Sequence, residues 1–157
     1  MQGNEVASLA HAVSVAVNEL EPLAQKTGAA LAGEVAGEVP VACPASLLHV
    51  VILNLVSNGL KFSAFIDRPA VRVRGYVEGE WGVLEVEDNG PGIPSELHGR
   101  IFEPFFRAPD APAGGTGIGL ATVKRIVDAY DGEIRVASGP GSGARFIVKF
   151  PLRRAPV

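Results

Sequence analysis

Three polar residues, Asn54, Asn58 and Lys61, interrupt a segment that is otherwise apolar almost all the way round. On a helix, spacings of four and seven put them within about 60° of one another on one face. A buried amide without partners costs about 1–3 kcal/mol, so a polar line on a core helix needs a reason. One reason is a polar cavity, where amide oxygens ligate Mg²⁺ and the ammonium meets phosphate oxygens. The other is a C-terminal half that emerges into solvent, which suits Lys61.

Asp88-Asn89-Gly90-Pro91-Gly92 follows the end of a strand-like run. Its glycines permit close backbone approach and positive φ. A carboxylate at the lip of such a turn can accept a hydrogen bond from an amino group, adenine's exocyclic nitrogen for instance. A plain Asn-Gly-Pro turn is the simpler reading. Gly115-Thr116-Gly117-Ile118-Gly119-Leu120 opens a helical pattern, and the unsatisfied N–H groups and dipole of a helix start favour phosphate. It lacks the Gly-Lys-Ser/Thr of a P-loop. No strand directly precedes it, as a dinucleotide fingerprint requires. A flexible hinge would look the same. Phe102-Glu103-Pro104-Phe105-Phe106-Arg107 reads as a hydrophobic base for a mobile lid, with Arg107 in reach of a phosphate, or as core packing by three phenylalanines.

The elements that must position these groups follow from periodicity. A helix spans 12–27, broken or bent at Pro22 and closed by Gly28. Strands fit Ala29–Val35 and Val39–Cys43, and Pro44 opens a long helix from Ala45 to about Ser63. Alternation predicts strands around Val71–Tyr76 and Leu84–Glu87, joined by a turn at Gly79–Glu80. A short helix falls near Ser95–Ile101, and the proline- and glycine-rich stretch 103–117 is a long loop of the functional kind. Leu120, Val123, Ile126, Val127 and Tyr130 mark an amphipathic helix stopped at Asp131–Gly132. Strands Glu133–Ala137 and Ala144–Phe150 close the chain. This order predicts an α+β fold, a two-layer sandwich with helices on one face of a mixed, mostly antiparallel sheet.

At 157 residues and 47% apolar, the chain suits one compact domain over 1–157, with tails at 1–11 and 152–157. A net charge of −3 leaves no broad basic field for nucleic acid, so anions must be attracted locally. Cys43 is the sole cysteine, which rules out an internal disulfide and points to a reducing compartment. The longest apolar stretch, Leu47 to Val56, is interrupted by His49 and Asn54 and falls short of the ~20 residues of a membrane span. No basic stretch followed by an apolar run marks a signal peptide. His11, His49 and His98 read as helix-surface or packing groups rather than ligands.

In order and spacing, the four chemical segments resemble the N, G1, F and G2 boxes of the histidine kinase catalytic domain. That domain is one branch of the ATPase group that includes type II topoisomerases and mismatch-repair ATPases. The N box is Asn54 to Ser63, the G1 box Asp88 to Ile93, the F box Phe102 to Phe106 and the G2 box Gly115 to Leu120. The resemblance runs from about Val17 to Pro151 and implies the Bergerat-type α/β sandwich. It implies ATP and Mg²⁺ as ligands, with Asn58 the main metal ligand and Asn54 supporting it. Lys61 would contact phosphate and Phe62 pack near the nucleotide. Asp88 would bind the adenine amino group and Gly92 line the base pocket. Gly115, Gly117 and Gly119 would form the hinge and phosphate-facing turn of a lid spanning about 103–117. Gly90, Ile93, Phe105, Arg107, Thr116, Ile118 and Leu120 complete the implied nucleotide-binding set.

The resemblance further implies partners: a histidine-containing dimerisation and phospho-acceptor domain, on the same parent chain or a partner subunit, and a response regulator receiver domain downstream. It implies a cytoplasmic site of action with no nucleic acid and no membrane contact by this domain, whether or not the parent protein is membrane-anchored. Hydrolytic relatives and serine-directed anti-sigma kinases carry a glutamate base four residues before the metal-binding asparagine. Here that residue is Asn54, which has no useful basicity, and a neutral imidazole acceptor needs no base. Transfer to histidine is therefore favoured over an ATPase or a serine kinase. A degenerate, non-catalytic nucleotide-binding or interaction module is the alternative of another class, and Asn58, Lys61 and Asp88 argue against it. Gly59 replaces the usual alanine, Cys43 a frequent aspartate and Tyr130-Asp131-Gly132 the usual His-Gly-Gly, while Ala111-Pro112-Ala113 makes the lid apolar.

Overall fold

The computed structural model describes residues 5–106, 119–138 and 143–153. In chain order the elements are β1 (Ala7–Ser8), α1 (Leu9–Thr27), β2 (Ala30–Val35), β3 (Pro40–Val41), α2 (Ala45–Phe62), β4 (Ala70–Glu78), β5 (Trp81–Asp88), α3 (Gly119–Ala129), β6 (Glu133–Ser138) and β7 (Ala144–Pro151). A 3₁₀ turn at Ser95–Leu97 lies between β5 and α3, one turn where a longer helix was expected. Five strands form one sheet in the order β2-β4-β5-β7-β6. Only the β2–β4 pair is parallel; the other three are antiparallel. This is the expected two-layer α+β sandwich.

Alternation along β5 and β7 decides which face meets the helices. Leu84, Val86, Phe146, Val148 and Phe150 are buried with Leu48, Ile52, Leu55, Val56 and Leu60 of α2 in one core, joined by Val123 and Val127 of α3. Side chains on the opposite sheet face include Arg74, Tyr76, Glu85 and Arg145, whose charges pair across strands. α2 is the one described helix whose length and composition would suit a membrane span (18 residues, mean hydropathy 1.4). Here that composition serves the core, which takes seven of its residues.

Four expectations are corrected. Residues 1–11 are not all tail: Ala7–Ser8 pair with β3, Leu9 is buried, and Ser8 caps α1 by accepting the His11 N–H. At the other end Leu152 bridges Val41 and its N–H donates to Glu80, so the fold holds the chain through Arg153. The strand expected at Val39–Cys43 shrinks to Pro40–Val41 outside the main sheet; Val39, Val41 and Cys43 still point inward, but Pro40 has no N–H to offer a ladder. Finally, α1 runs unbroken through Pro22, which is exposed and costs the helix one N–H bond. Its C-terminus ends at Gly28, whose φ of 76° lets the cap N–H reach the Ala24 and Gln25 carbonyls.

Candidate functional site

The polar face of α2 decides between its two readings. Leu55, Val56, Gly59 and Leu60 are all buried, so the helix stays in the core almost to its end. Asn54, Asn58, Lys61 and Phe62 lie half-buried beside them. The C-terminal half therefore does not emerge into solvent, and the three polar groups line a face that is neither core nor open surface. Asn54 Nδ2 donates to the Val50 carbonyl at 2.8 Å, which fixes the amide and turns its oxygen outward. That oxygen faces the start of α3: a Cβ added to Gly119 would lie 2.9 Å from Asn54 Oδ1. The first turn of the glycine-opened helix and the first amide of the polar face thus share one small space.

The Asp88 turn meets the other end of the same helix. A Cβ on Gly59 would lie 3.5 Å from Asp88 Cβ, and one on Gly90 would lie 2.8 Å from the Phe62 carbonyl oxygen. Close backbone approach is what Gly90 supplies, whereas Gly92 supplies a φ of 84°. The Gly90 N–H donates to Asp88 Oδ1 at 2.8 Å. Asp88 is buried, and burial is the main force pushing its carboxyl above the usual carboxylate range. Glu87 adds to that push, and the backbone N–H groups of Gly90 and Ala144 oppose it. A carboxylate short of solvent in this way gains from any further N–H donor that arrives. Asp88 is thus a buried acceptor at one side of the space, and the Asn54 oxygen lies beside the start of α3.

The remaining predicted residues divide. Ile93 and Leu120 are half-buried. The F cluster does not pack as three phenylalanines: Phe102 meets Phe146 edge-on, centroids 6.3 Å apart, and Phe106 lies under the Arg100 guanidinium at 4.7 Å. Phe105 is instead 72% exposed, at a φ of 65° rare for a non-glycine residue. Arg107, Gly115, Thr116, Gly117 and Ile118, and with them most of the expected lid, lie outside the described residues. Cys43 is buried, and its thiol is pushed up to about 12 by desolvation and by Glu5, so it stays a neutral core group.

Several residues shape the site through contacts that their spacing does not announce. Asn89 holds the turn to the preceding loop, accepting from the Ala70 N–H at 2.8 Å and donating to the Arg68 carbonyl at 3.0 Å. An Asn in a turn bonds local backbone often enough, but these partners lie some twenty residues upstream. His98 and Ser138 both reach the backbone of Ile93, and spacing gives no hint of either.

Residues 44–154 match the family described as "Histidine kinase-, DNA gyrase B-, and HSP90-like ATPase". The chain is 37% identical over 113 residues to the signal transduction histidine-protein kinase AtoS of Escherichia coli, which covers 72% of this chain and 18% of that protein. It is 34% identical over 149 residues to the adaptive-response sensory kinase SasA of Prochlorococcus marinus, covering 93% of this chain and 39% of that one. Among solved structures, the mycobacterial sensor histidine kinase MprB superposes with a TM-score of 0.84 at 26% identity, covering 96% of this chain and 100% of that chain. The chain therefore spans well under half the length of these two curated relatives.

Proposed function

Because this chain belongs to the histidine kinase-, DNA gyrase B- and HSP90-like ATPase family, we propose that it binds Mg·ATP between α2, the Asp88 turn and the start of α3, and donates the γ-phosphate to a histidine on a separate dimerisation and phospho-acceptor domain. The observation that carries this reading is the convergence of three sequence-distant elements. Gly119 approaches Asn54, and Gly59 and Gly90 approach Asp88 and Phe62, all along one helix.

Within that cavity Asp88 accepts the adenine amino group, with Gly92 and Ile93 beside the base. Lys61, one turn beyond Asn58, meets the phosphates. Asn58 and Asn54 are the residues that would hold Mg²⁺: neutral amide oxygens are hard donors, suited to a dication that keeps part of its water shell. The ion, once bound, neutralises phosphate charge that these side chains cannot. No side chain at position 54 can abstract a proton, so the acceptor must bring its own lone pair, as neutral imidazole does. Catalysis is then positioning and charge neutralisation. The chain acts as one catalytic domain, with a lid at about 103–117, inside a longer cytoplasmic signalling assembly whose phosphohistidine feeds a response regulator receiver domain.

Isothermal titration with a non-hydrolysable ATP analogue and Mg²⁺ tests this. The native chain should bind, and Asn58→Ala should lose about tenfold or more in affinity, equivalent to ~1.4 kcal/mol. With an acceptor domain added, label should appear on histidine; without it, phosphate release should stay slow. No binding by the native chain would sink the reading.

A further inference from the structure

The turn that carries Asp88 is held from behind at both ends. At its first residue, Gly143 has a φ of 75°, and any Cβ there would overlap the Asp88 carbonyl oxygen, while Ala144 pairs with Asp88 across β5 and β7. Five residues on, the Ile93 N–H donates to Ser138 Oγ at 2.7 Å, and Ser138 Oγ donates to the Gly143 carbonyl at 2.6 Å. Both roles of the hydroxyl are dictated, since an amide N–H only donates and a carbonyl only accepts. The Ile93 carbonyl is taken as well, by His98 Nε2 at 2.9 Å. One hydroxyl therefore links Ile93 to the same glycine that abuts Asp88.

We propose that Ser138 is a positioning residue for base recognition: through Ile93 and Gly143 it sets the width of the turn in which Asp88 meets the nucleobase. The hydrogen bonds of Ser138 Oγ run to Ile93 and Gly143 and not to Asn54 or Asn58, so its influence falls on the base end of the cavity and not on the phosphate end. The inference rests on the nucleotide reading above. Losing the hydroxyl leaves the Ile93 N–H and the Gly143 carbonyl without their partner, and the turn relaxes.

The test compares ATP with inosine triphosphate, which carries a carbonyl where adenine has its amino group, on the full chain with Mg²⁺. Ser138→Ala should weaken ATP binding about tenfold and inosine triphosphate binding about threefold or less, so that discrimination between the bases falls. Amide exchange at Ile93 should quicken in the same variant, and Ser138→Thr, which keeps the hydroxyl, should restore both. If Ser138→Ala fails to fold, Ser138→Cys keeps the volume with a weak donor and should show the same loss of discrimination. Equal weakening of both nucleotides would mark a general loosening and overturn the inference, as would Ser138→Thr behaving like Ser138→Ala. The two readings fail separately. No ATP binding by the native chain defeats the nucleotide assignment and this inference with it, whereas normal binding that Ser138→Ala leaves unchanged defeats this inference alone.

Discussion

Replacing Gly119 with alanine should separate stability from nucleotide binding. The added Cβ would lie 2.9 Å from Asn54 Oδ1 and 3.7 Å from its Cγ. Carbon and oxygen prefer roughly 3.4 Å or more, so the amide must retreat by roughly 0.5 Å. Its freedom to do so is limited by the 2.8 Å bond from Nδ2 to Val50, and loosening that bond costs about 1 kcal/mol. Against this, alanine is a better helix former than glycine by up to ~1 kcal/mol, less at a first position. The two effects nearly cancel, so urea unfolding should place the variant within about 1 kcal/mol of the native chain. Affinity has no such compensation. The methyl group fills the gap between the Asn54 oxygen and the helix start where phosphate is expected, and binding of an ATP analogue with Mg²⁺ should drop about tenfold or more. Titration calorimetry beside the urea series reads both quantities. A folded Gly119→Ala chain that binds as tightly as the native one would show that this gap is not part of the site.

Asp88 and Glu85 offer further tests. Because burial raises the Asp88 carboxyl in the folded chain, that group favours folding while protonated, and the contribution is lost as pH rises through the raised value. Asp88→Asn should therefore gain in urea midpoint relative to the native chain as pH rises above the ordinary carboxylate value of about 4, while its ATP affinity falls; a difference that stays flat with pH would contradict the burial argument. On the open sheet face, Glu85 is buried beneath Arg74, Tyr76 and Arg145, and its hydrogen bond with Tyr76 pushes the phenol up to about 12. Glu85→Gln should bring the Tyr76 ionisation, followed by ultraviolet absorbance, down towards the ordinary value of about 10. Both arginines remain partly exposed, so solvent screening holds the loss of stability to about 1–2 kcal/mol.

Local chemistry explains most of what was legible beforehand. Periods of 3.6 and 2 are written by neighbouring residues, so α2, α3 and β6–β7 could be read within a residue or two of their bounds, and the β4–β5 hairpin was found with its strands up to three residues longer. Glycine at Gly90 and Gly92 marked a tight turn for the same reason. Misreadings arose where the deciding partner was distant. Val39–Cys43 alternates like a strand, yet its pairing depends on what lies beside it, and Pro40 offers the ladder no donor. Leu9 looked like tail because its burial comes from folding against residues such as Gly75, far along the chain. Phe102, Phe105 and Phe106 are alike in sequence and unlike in place, since Phe146 and Arg100 stack on only two of them.

The amino-acid order alone determined that a polar stripe, an acidic glycine turn and a glycine-opened helix would exist, because each is made by residues a few positions apart. It did not determine that the three would meet. That came from the sheet order β2-β4-β5-β7-β6, which sets β5 and its Asp88 under α2 and brings the start of α3 against Asn54. Contacts between segments this far apart are chosen by packing of the whole core, where only one arrangement buries the apolar faces of both layers together. The Ser138–Ile93 link, across 45 residues, is of the same kind: no local rule relates the two, and only the assembled sheet brings them within reach.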